Sequence, residues 1–414
     1  MPLSRRDAIA RLAALTAMTT FPGCAVSRSS GGSDDDPLDG TISDYLAGLR
    51  RGRWSAAEVT AAALERCRRQ GMALHAIDAL AETALDEARA ADARGRAGTL
   101  RRPLEGVPVF AKSIYDMAGL ATTASSAEWA RLFPSPVSRD SIEVARLRAG
   151  GAIVLGKTAA DDFAYEGEGT SSHTGQVLNP YDPTGSRTPG GSSAGSAVAV
   201  ACGMAFAALG TDDGGSNRIP AVCTGVVGMK PTFGLVPRTG VIPTWPYLDT
   251  HGPLARTVAD AALMLAVIAG ADPSDPLALT GTWDGARLAA LRDDALEGVR
   301  VGLVEAHVPR AQMTESAVAT WDRALADLRS AGAVIEPFDA PVTLENFRRL
   351  FSDPDFLDPL LTTLIVAFSS AAICCAVAAP MGWVVARTDV PMGRTIRALV
   401  TASFVTPPFL GAIA

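Results

Sequence analysis

The pattern of hydrophobic and polar positions predicts a series of amphipathic helices. In residues 55–70 apolar side chains recur at helical spacing, and Ser55 followed by Glu58 has the spacing of a capping box that starts a helix. The same period predicts helices over three more segments: 79–98, 141–150 and 314–332. A helix of small residues is predicted to begin at Ser193 and to run into an apolar strand that ends at Thr211.

Short apolar runs between these helices predict buried strands. They cover residues 106–113, 151–158, 299–306 and 333–339. Strands that alternate with helices indicate an α/β fold, in which a mixed central sheet is covered by helices on both faces. One soluble domain is predicted over residues 41–349.

Two familiar motifs in this domain lack the context that their chemistry requires. Residues 151–158, "GAIVLGKT", match the phosphate-binding loop, but the four residues between its glycines are themselves the predicted strand, so nucleotide binding is rejected. Ser193 sits in a G-x-S-x-G motif, but a Pro- and Gly-rich segment precedes it where a nucleophile elbow needs a strand. A serine–histidine triad would need His251 or His307, and each is expected to be an ordinary histidine.

Composition and charge argue against several classes of function. The chain has 414 residues, a net charge of -7 and a pI near 5.3, which gives no electrostatic case for nucleic-acid binding. Its six cysteines lack C-x-x-C spacing, so neither a zinc site nor a disulfide framework is indicated. No metal or organic cofactor is expected.

The amino-terminal segment has the features of an export signal. Residues 1–28 contain the pair Arg5 and Arg6, then a mildly apolar stretch and Cys24 in a lipoprotein-like cleavage box. This pattern predicts twin-arginine export to the periplasmic side of a bacterial inner membrane, with Cys24 as a lipidation candidate. The alternative is an amphipathic helix in which the two arginines are incidental. Residues 29–40 are polar and Gly/Ser-rich, and predict a flexible linker.

The carboxyl-terminal segment, residues 350–414, differs in composition from the domain before it. Residues 359–386 contain no charged side chain and are long enough to span a bilayer core of ~30 Å. Arginines follow this run, as expected for a flank that faces the cytoplasm. One or two transmembrane helices are therefore predicted, and the alternative is a buried core helix. The segment resembles the first transmembrane region of an iron(III)-type ABC-transporter permease.

Three separated stretches hold the candidate chemistry. They are "GVPVFAKS" with Lys112, "PGGSSAGSAVAVA" with Ser192, and "GTDDGGSNRIP" with Ser216, and the two serines lie 24 positions apart. Their order and spacing resemble the amidase signature family, over about residues 41–347. The resemblance implies an amidase-signature fold and a hydrolase for the C–N bond of a small-molecule amide.

The same resemblance implies a role for each residue. Ser216 attacks the amide carbonyl, Ser192 follows a cis peptide bond and relays the proton, and Lys112 acts as the base. The backbone N–H groups of the loop form the oxyanion hole, and those residues are Asp213, Gly214, Gly215 and Ser216. Arg218 is expected to fix this loop by hydrogen bonding.

Two features of the chain depart from the family pattern. Ser113 follows the lysine where Asp or Glu is common, and Asp213 replaces a Thr or a small apolar residue. The resemblance also ends before the last part of a usual amidase domain. Two alternatives to a working amidase therefore stay open: an inactive remnant joined to a permease fragment, and the glutaminase subunit of a tRNA-dependent amidotransferase.

Overall fold

The computed structural model describes residues 36–99, 102–281, 296–305 and 308–338, together with residues 283 and 285. The chain divides into two compact units, residues 1–293 and residues 294–414. Within the described ranges, no helix combines the length and apolar character needed to cross a membrane. The predicted export signal with Cys24 and the predicted transmembrane segment 350–414 lie outside the described residues.

The first unit contains eight of the helices and eight of the strands described here. Its helices are Ile42–Arg50 (α1), Ala56–Arg66 (α2), Ala84–Arg96 (α3), Ala127–Leu132 (α4), Ile142–Ala149 (α5), Ala194–Ala201 (α6), Arg218–Thr224 (α7) and Val258–Ile268 (α8). Its strands are Ile77–Leu80 (β1), Pro108–Lys112 (β2), Ile153–Thr158 (β3), Thr170–Ser171 (β4), Gly175–Gln176 (β5), Ala207–Thr211 (β6), Val227–Gly228 (β7) and His251–Ala255 (β8).

Six of these strands form one mixed sheet in the order β1-β3-β2-β6-β8-β7. The central strands β3, β2 and β6 are parallel, whereas β1, β8 and β7 join the sheet antiparallel to their neighbours. Every residue of β2, β3, β6 and β8 is buried, as expected for strands whose two faces are covered. The predicted α/β fold with a mixed sheet is thus confirmed.

Helix α6 passes through the centre of this unit. Seven of its eight residues, Ala194 to Val200, are buried, and none of them is larger than valine. Small side chains let the helix approach the sheet closely, so it packs against β2, β3, β6 and β8. This close packing fixes the position of Ser192 and Ser193, which come directly before the helix.

The predicted helix start at Ser55 and the strand predicted in place of a phosphate-binding loop are confirmed. Ser55 and Glu58 form a reciprocal capping box at the start of α2. Residues 153–158 are strand β3, and the φ angle of Gly156 is 146°. A Cβ atom at Gly156 would lie 2.1 Å from the carbonyl oxygen of Ala79, so this glycine serves the close approach of β1 rather than a phosphate.

Two predicted boundaries are wrong, both because of tertiary packing. The helix predicted over 79–98 begins only at Ala84, because Ile77–Leu80 pairs with β3 as a strand instead. The predicted linker ends earlier than residue 40. Pro37–Asp39 forms a short 3-10 helix whose Leu38 side chain is fully buried, and Arg66 holds it through ion pairs with Asp36 and Asp39.

The described part of the second unit is a β–α–β arrangement. Strand Arg300–Leu303 (β9) is parallel to strand Val334–Pro337 (β10), and helix Glu315–Ser330 (α9) connects them. The hydroxyl of Thr314 caps this helix by accepting a hydrogen bond from the amide of Ala317. The strands and the helix predicted between residues 299 and 339 are therefore confirmed.

Candidate active site

The candidate site lies where the parallel strands β2 and β6 end. Lys112 is the last residue of β2 and Thr211 the last residue of β6, and the carboxyl ends of parallel neighbours share one edge of a sheet. Lys112 Nζ donates hydrogen bonds to Thr211 Oγ1 at 2.9 Å and to Ser192 Oγ at 2.7 Å. The structure therefore joins two residues that are 80 positions apart in sequence, as the family resemblance implied.

The backbone around Ser192 is tightly enclosed. The peptide bond between Gly191 and Ser192 is cis, and the Ser192 side chain is fully buried. A Cβ atom at Gly191 would lie 2.1 Å from Asp161 Oδ2, so only glycine fits here. Asp161 in turn donates its amide N–H to the Ser192 carbonyl at 3.3 Å. Ser192 is thus held between the sheet and the loop that follows β3.

Burial sets the charge state of Lys112. The side chain is fully buried, and removal from water lowers the pKa of Lys112 to about 7, although four carboxylates favour its charged form. Those carboxylates belong to Asp161, Asp213, Asp249 and Asp212, in decreasing order of effect. A lysine with a pKa near neutrality can accept a proton under ordinary conditions, which an exposed lysine cannot do.

Asp212 anchors the loop that carries Ser216. Its buried carboxylate accepts hydrogen bonds from the amides of Gly215 at 2.8 Å and Asn217 at 3.1 Å, and Arg218 pairs with both of its oxygens at 3.0 and 2.9 Å. Burial alone would raise the pKa of Asp212, but the hydrogen bonds from Arg218 and Asn217 hold it below its ordinary value. The expected supporting contact of Arg218 is therefore present.

Ser216 is half-buried, and its backbone is hydrogen-bonded to the segment that carries Ser192. Its carbonyl oxygen accepts a hydrogen bond from the amide of Ser193 at 3.0 Å, which ties the two serine-bearing segments together. Among the described residues, none forms a hydrogen bond with the Ser216 hydroxyl. Catalytic hydrogen bonds are often long without substrate and shorten when it binds. Lys112 and Ser192 are thus hydrogen-bonded, whereas the hydroxyls of Ser192 and Ser216 are not hydrogen-bonded to each other.

The structure changes one detail of the predicted oxyanion hole. The amide of Gly215 already donates to Asp212, so it is not directed at a substrate oxygen in this arrangement. The amides of Asp213, Gly214 and Ser216 have no acceptor among the described residues. These three groups are the donors that the loop offers, and Gly214 leaves room for a ligand because its missing Cβ would meet no atom within 4 Å.

Three residues of the site were not singled out from the sequence. Thr211 accepts a hydrogen bond from Lys112. Asp161 orders the loop after β3, because its carboxylate accepts hydrogen bonds from the amides of Gly169 and Thr170. Asp249 lies two residues before β8. The signal for Thr211 was its place beside Asp212 at a strand end. The other two act across the sheet edge, which no local pattern shows.

The rejection of a serine–histidine triad agrees with the described structure. The Ser193 hydroxyl bonds to Asn217 Oδ1 at 3.1 Å and to the Thr211 carbonyl at 3.3 Å, and no strand leads into it. His251 is buried, its Nδ1 contacts the Glu143 carboxylate, and its ring lies 5.4 Å from that of Tyr115. His251 is thus a core histidine, and His307 lies outside the described residues.

A family model described as Amidase matches residues 58–353, well over half of the chain. The chain belongs to the amidase family. It is 38% identical to the native peptide amidase from Stenotrophomonas maltophilia, with a TM-score of 0.66, over 73% of this chain and 62% of that one. The match ends at residue 353, so the permease resemblance of residues 350–414 has no further support.

Other relatives of this amidase-family chain are named as parts of an amidotransferase. It is 46% identical to the A subunit of glutamyl-tRNA(Gln) amidotransferase from Salinispora arenicola, over 63% of this chain and 52% of that protein. It is 26% identical to the solved structure of the corresponding protein from Thermotoga maritima, with a TM-score of 0.63, over 91% of this chain and 72% of that one. The chain thus spans about half the length of the first of these relatives.

We expect Asp212→Asn to loosen the loop that carries Ser216. An asparagine offers one acceptor oxygen where the carboxylate serves five donors, and its NH₂ group faces N–H groups. We expect a loss of ~1–3 kcal/mol in the free energy of unfolding in urea, and a ~10–100-fold slower reaction of Ser216 with a serine-directed probe. Arg218→Ala leaves the carboxylate and its amide donors in place, so its effect should be smaller. An Asp212→Asn chain that reacts as fast as the wild type would contradict this anchoring role.

Proposed function

We propose that this chain hydrolyses a carboxylic amide through an acyl-enzyme formed on Ser216. The observation that carries the proposal is the hydrogen bond of 2.7 Å between Ser192 and a buried Lys112 whose pKa is lowered to about 7. A serine hydroxyl needs a neighbouring base before it can attack a carbonyl carbon. Neutral Lys112 is such a base, and Ser192 lies between it and the Ser216 loop.

The proposed reaction proceeds in two halves. Ser216 Oγ attacks the carbonyl carbon while its proton passes to Ser192 and the Ser192 proton passes to Lys112. The amides of Asp213, Gly214 and Ser216 stabilise the oxyanion, and such donors contribute ~10²–10³ each in other hydrolases. Lys112 returns the proton through Ser192 to the leaving amine. Water then attacks the acyl-enzyme by the same route and releases the acid.

The named relatives favour a second candidate, the glutaminase half of a tRNA-dependent amidotransferase. The curated relative at 46% identity bears the amidotransferase name, whereas the solved neighbour at 38% identity is a peptide amidase. Both candidates take an amide as substrate, so the proposed chemistry of Ser216 suits either. The predicted export signal favours the interpretation as a peptide-amidase-like enzyme. Ammonia release from L-glutamine, compared with release from peptide amides, separates the two candidates.

The proposal is tested by locating the reactive serine. The purified chain, in detergent where needed, is treated with a fluorophosphonate and digested, and the modified peptide is mapped by mass spectrometry. We expect a single adduct on Ser216, since only an activated serine attacks the probe. An adduct on another serine, or no adduct on a sample shown to be folded by circular dichroism, would overturn the proposal and favour an inactive remnant.

A further inference from the structure

Asp213 and Asp249 lie opposite each other beyond the ends of β6 and β8. These strands are antiparallel with Thr211 paired to His251, and the amide of Asp212 continues the ladder by donating to the Thr250 carbonyl at 2.8 Å. One step further along this register brings Asp213 opposite Asp249. Directly opposite side chains on adjacent antiparallel strands have Cβ atoms ~4.5–5.5 Å apart, and like charges there repel.

The hydrogen bonds show how this pair avoids repulsion. Each oxygen of Asp249 already accepts a backbone N–H, from Trp245 at 3.0 Å and from Thr244 at 3.1 Å, which suits an ionised carboxylate. Asp213 Oδ1 is buried and has no donor among the described residues. A buried oxygen without a donor is costly unless it carries or shares a proton. Burial, followed by its hydrogen bond to Asp249, raises the pKa of Asp213 to about 7.

The pair faces the base of the proposed reaction. Lys112 and Lys230 are the cations whose charges act on Asp213, and Arg218 neutralises Asp212. The carboxylates acting on Lys112 come from three elements: Asp161 after β3, Asp212 and Asp213 after β6, and Asp249 before β8. Of these, Asp213 is the residue that departs from the family pattern.

We propose that Asp213 and Asp249 share one proton and together set the protonation state of Lys112, so that Asp213 is a positioning residue for the reaction. This inference rests on the proposed function of Lys112 as the base. Moving a proton from Lys112 to Asp213 leaves the total charge of the buried edge unchanged, so the pair can hold the proton that the lysine must lose. When Asp213 loses that proton to solvent, its charge instead holds Lys112 in the inactive, protonated form.

The direction of the effect follows from these charges. In the wild type, Asp213 ionises over the same pH range in which Lys112 must become neutral, and this delays the deprotonation of Lys112. Asp213→Asn keeps a hydrogen bond to Asp249 but removes one ionisable group. We therefore expect the acidic limb of the pH–rate profile to move to lower pH by ~1 unit.

The first experiment measures the rate of Ser216 labelling by a fluorophosphonate from pH 5 to pH 9. The wild type is compared with Asp213→Asn and with Asp86→Asn, a matched change at an exposed carboxylate on helix α3. Only Asp213→Asn should shift the limb. A limb that coincides with the wild type, or moves to higher pH, would overturn the inference while leaving the nucleophile assignment intact.

A second measurement does not depend on activity. Aspartate labelled with ¹³C at the carboxyl carbon reports each titration by NMR, and the signal missing from Asp213→Asn assigns Asp213. We expect this signal to titrate near neutrality in the wild type and to move to lower pH in Asp249→Asn, because the neighbouring carboxylate that disfavours ionisation of Asp213 is removed. A wild-type Asp213 that titrates like an exposed aspartate would overturn the shared proton, whether or not the chain hydrolyses amides.

Discussion

Replacing Ser216 with alanine should reduce kcat/KM for amide hydrolysis by at least ~10⁴-fold, because no other described serine has both a base relay and oxyanion donors beside it. The substitution removes one hydroxyl that has no hydrogen-bond partner among the described residues, so the fold should be unaffected. The measurement is the release of ammonia or of an aromatic amine from a panel of small amides and anilides. Thermal unfolding of both chains confirms that they are equally folded.

Ser193→Ala is the matched control for this substitution. Ser193 lies 23 positions before Ser216 and next to Ser192, and its hydroxyl bonds to Asn217 and Thr211 rather than to Lys112. We expect it to cost ~1 kcal/mol of stability and to change kcat/KM by less than ~10-fold. Residual hydrolysis by Ser216→Ala at the wild-type rate would mean that a different group attacks the amide.

Replacing Lys112 with methionine should abolish hydrolysis to a similar extent and remove the acidic limb of the pH profile. In the wild type, activity should rise with pH through about 7, because Lys112 accepts a proton only after it has lost its own. Methionine has a similar length and no proton to exchange. The measurement is kcat/KM against pH for both chains, and a wild-type rate that does not fall between pH 8 and pH 5 would contradict the role of Lys112.

The free energy of unfolding should show that the loss of activity in Lys112→Met is not caused by unfolding. The pKa of Lys112 is lower in the folded chain than its unfolded value of ~10.4, so the unfolded state binds more protons between these values. Its burial therefore destabilises the wild type fully below pH 7, and the penalty fades as pH rises toward 10. Lys112→Met should be the more stable chain in urea at pH 6. Lys157→Met is the matched control, since Lys157 is a second buried lysine, on β3, with its pKa lowered to about 8. Lys157→Met should keep the acidic limb of the pH–rate profile.

Local signals in the sequence predicted strands β2, β3 and β6 and helix α6 beside the site, but not helix α7 or strand β8. The capping box at Ser55, the apolar runs that became β2 and β3, and the small-residue helix α6 all depend on neighbours within a few positions. Strand β1 was missed because Ala79 and Leu80 suit a helix as well as a strand, and only pairing with β3 decides between them. Such pairing across the sheet cannot be deduced from a segment of four residues.

The candidate site also combines residues that a motif predicted with contacts across the sheet that it did not predict. The family resemblance singled out Lys112, Ser192 and Ser216, and the structure brings the first two into direct contact. The sequence analysis missed three residues of the site: Thr211, Asp161 and Asp249. They come close to Lys112 only once strands β2, β3, β6 and β8 have assembled. The hydrogen bond from the Gly215 amide to Asp212 was not predicted, because sequence shows that a loop is rich in glycine but not which of its N–H groups turn inward.

The carboxylates along this sheet edge also bear on how a turnover ends. In the proposed reaction, water converts a neutral ester into an acid, and this acid ionises at a sheet edge where Asp161 and the Asp213–Asp249 pair carry negative charge. Fixed negative charges with little solvent between them raise the free energy of a bound anion. We therefore expect the same groups that adjust the base to favour release of the acid product from the pocket.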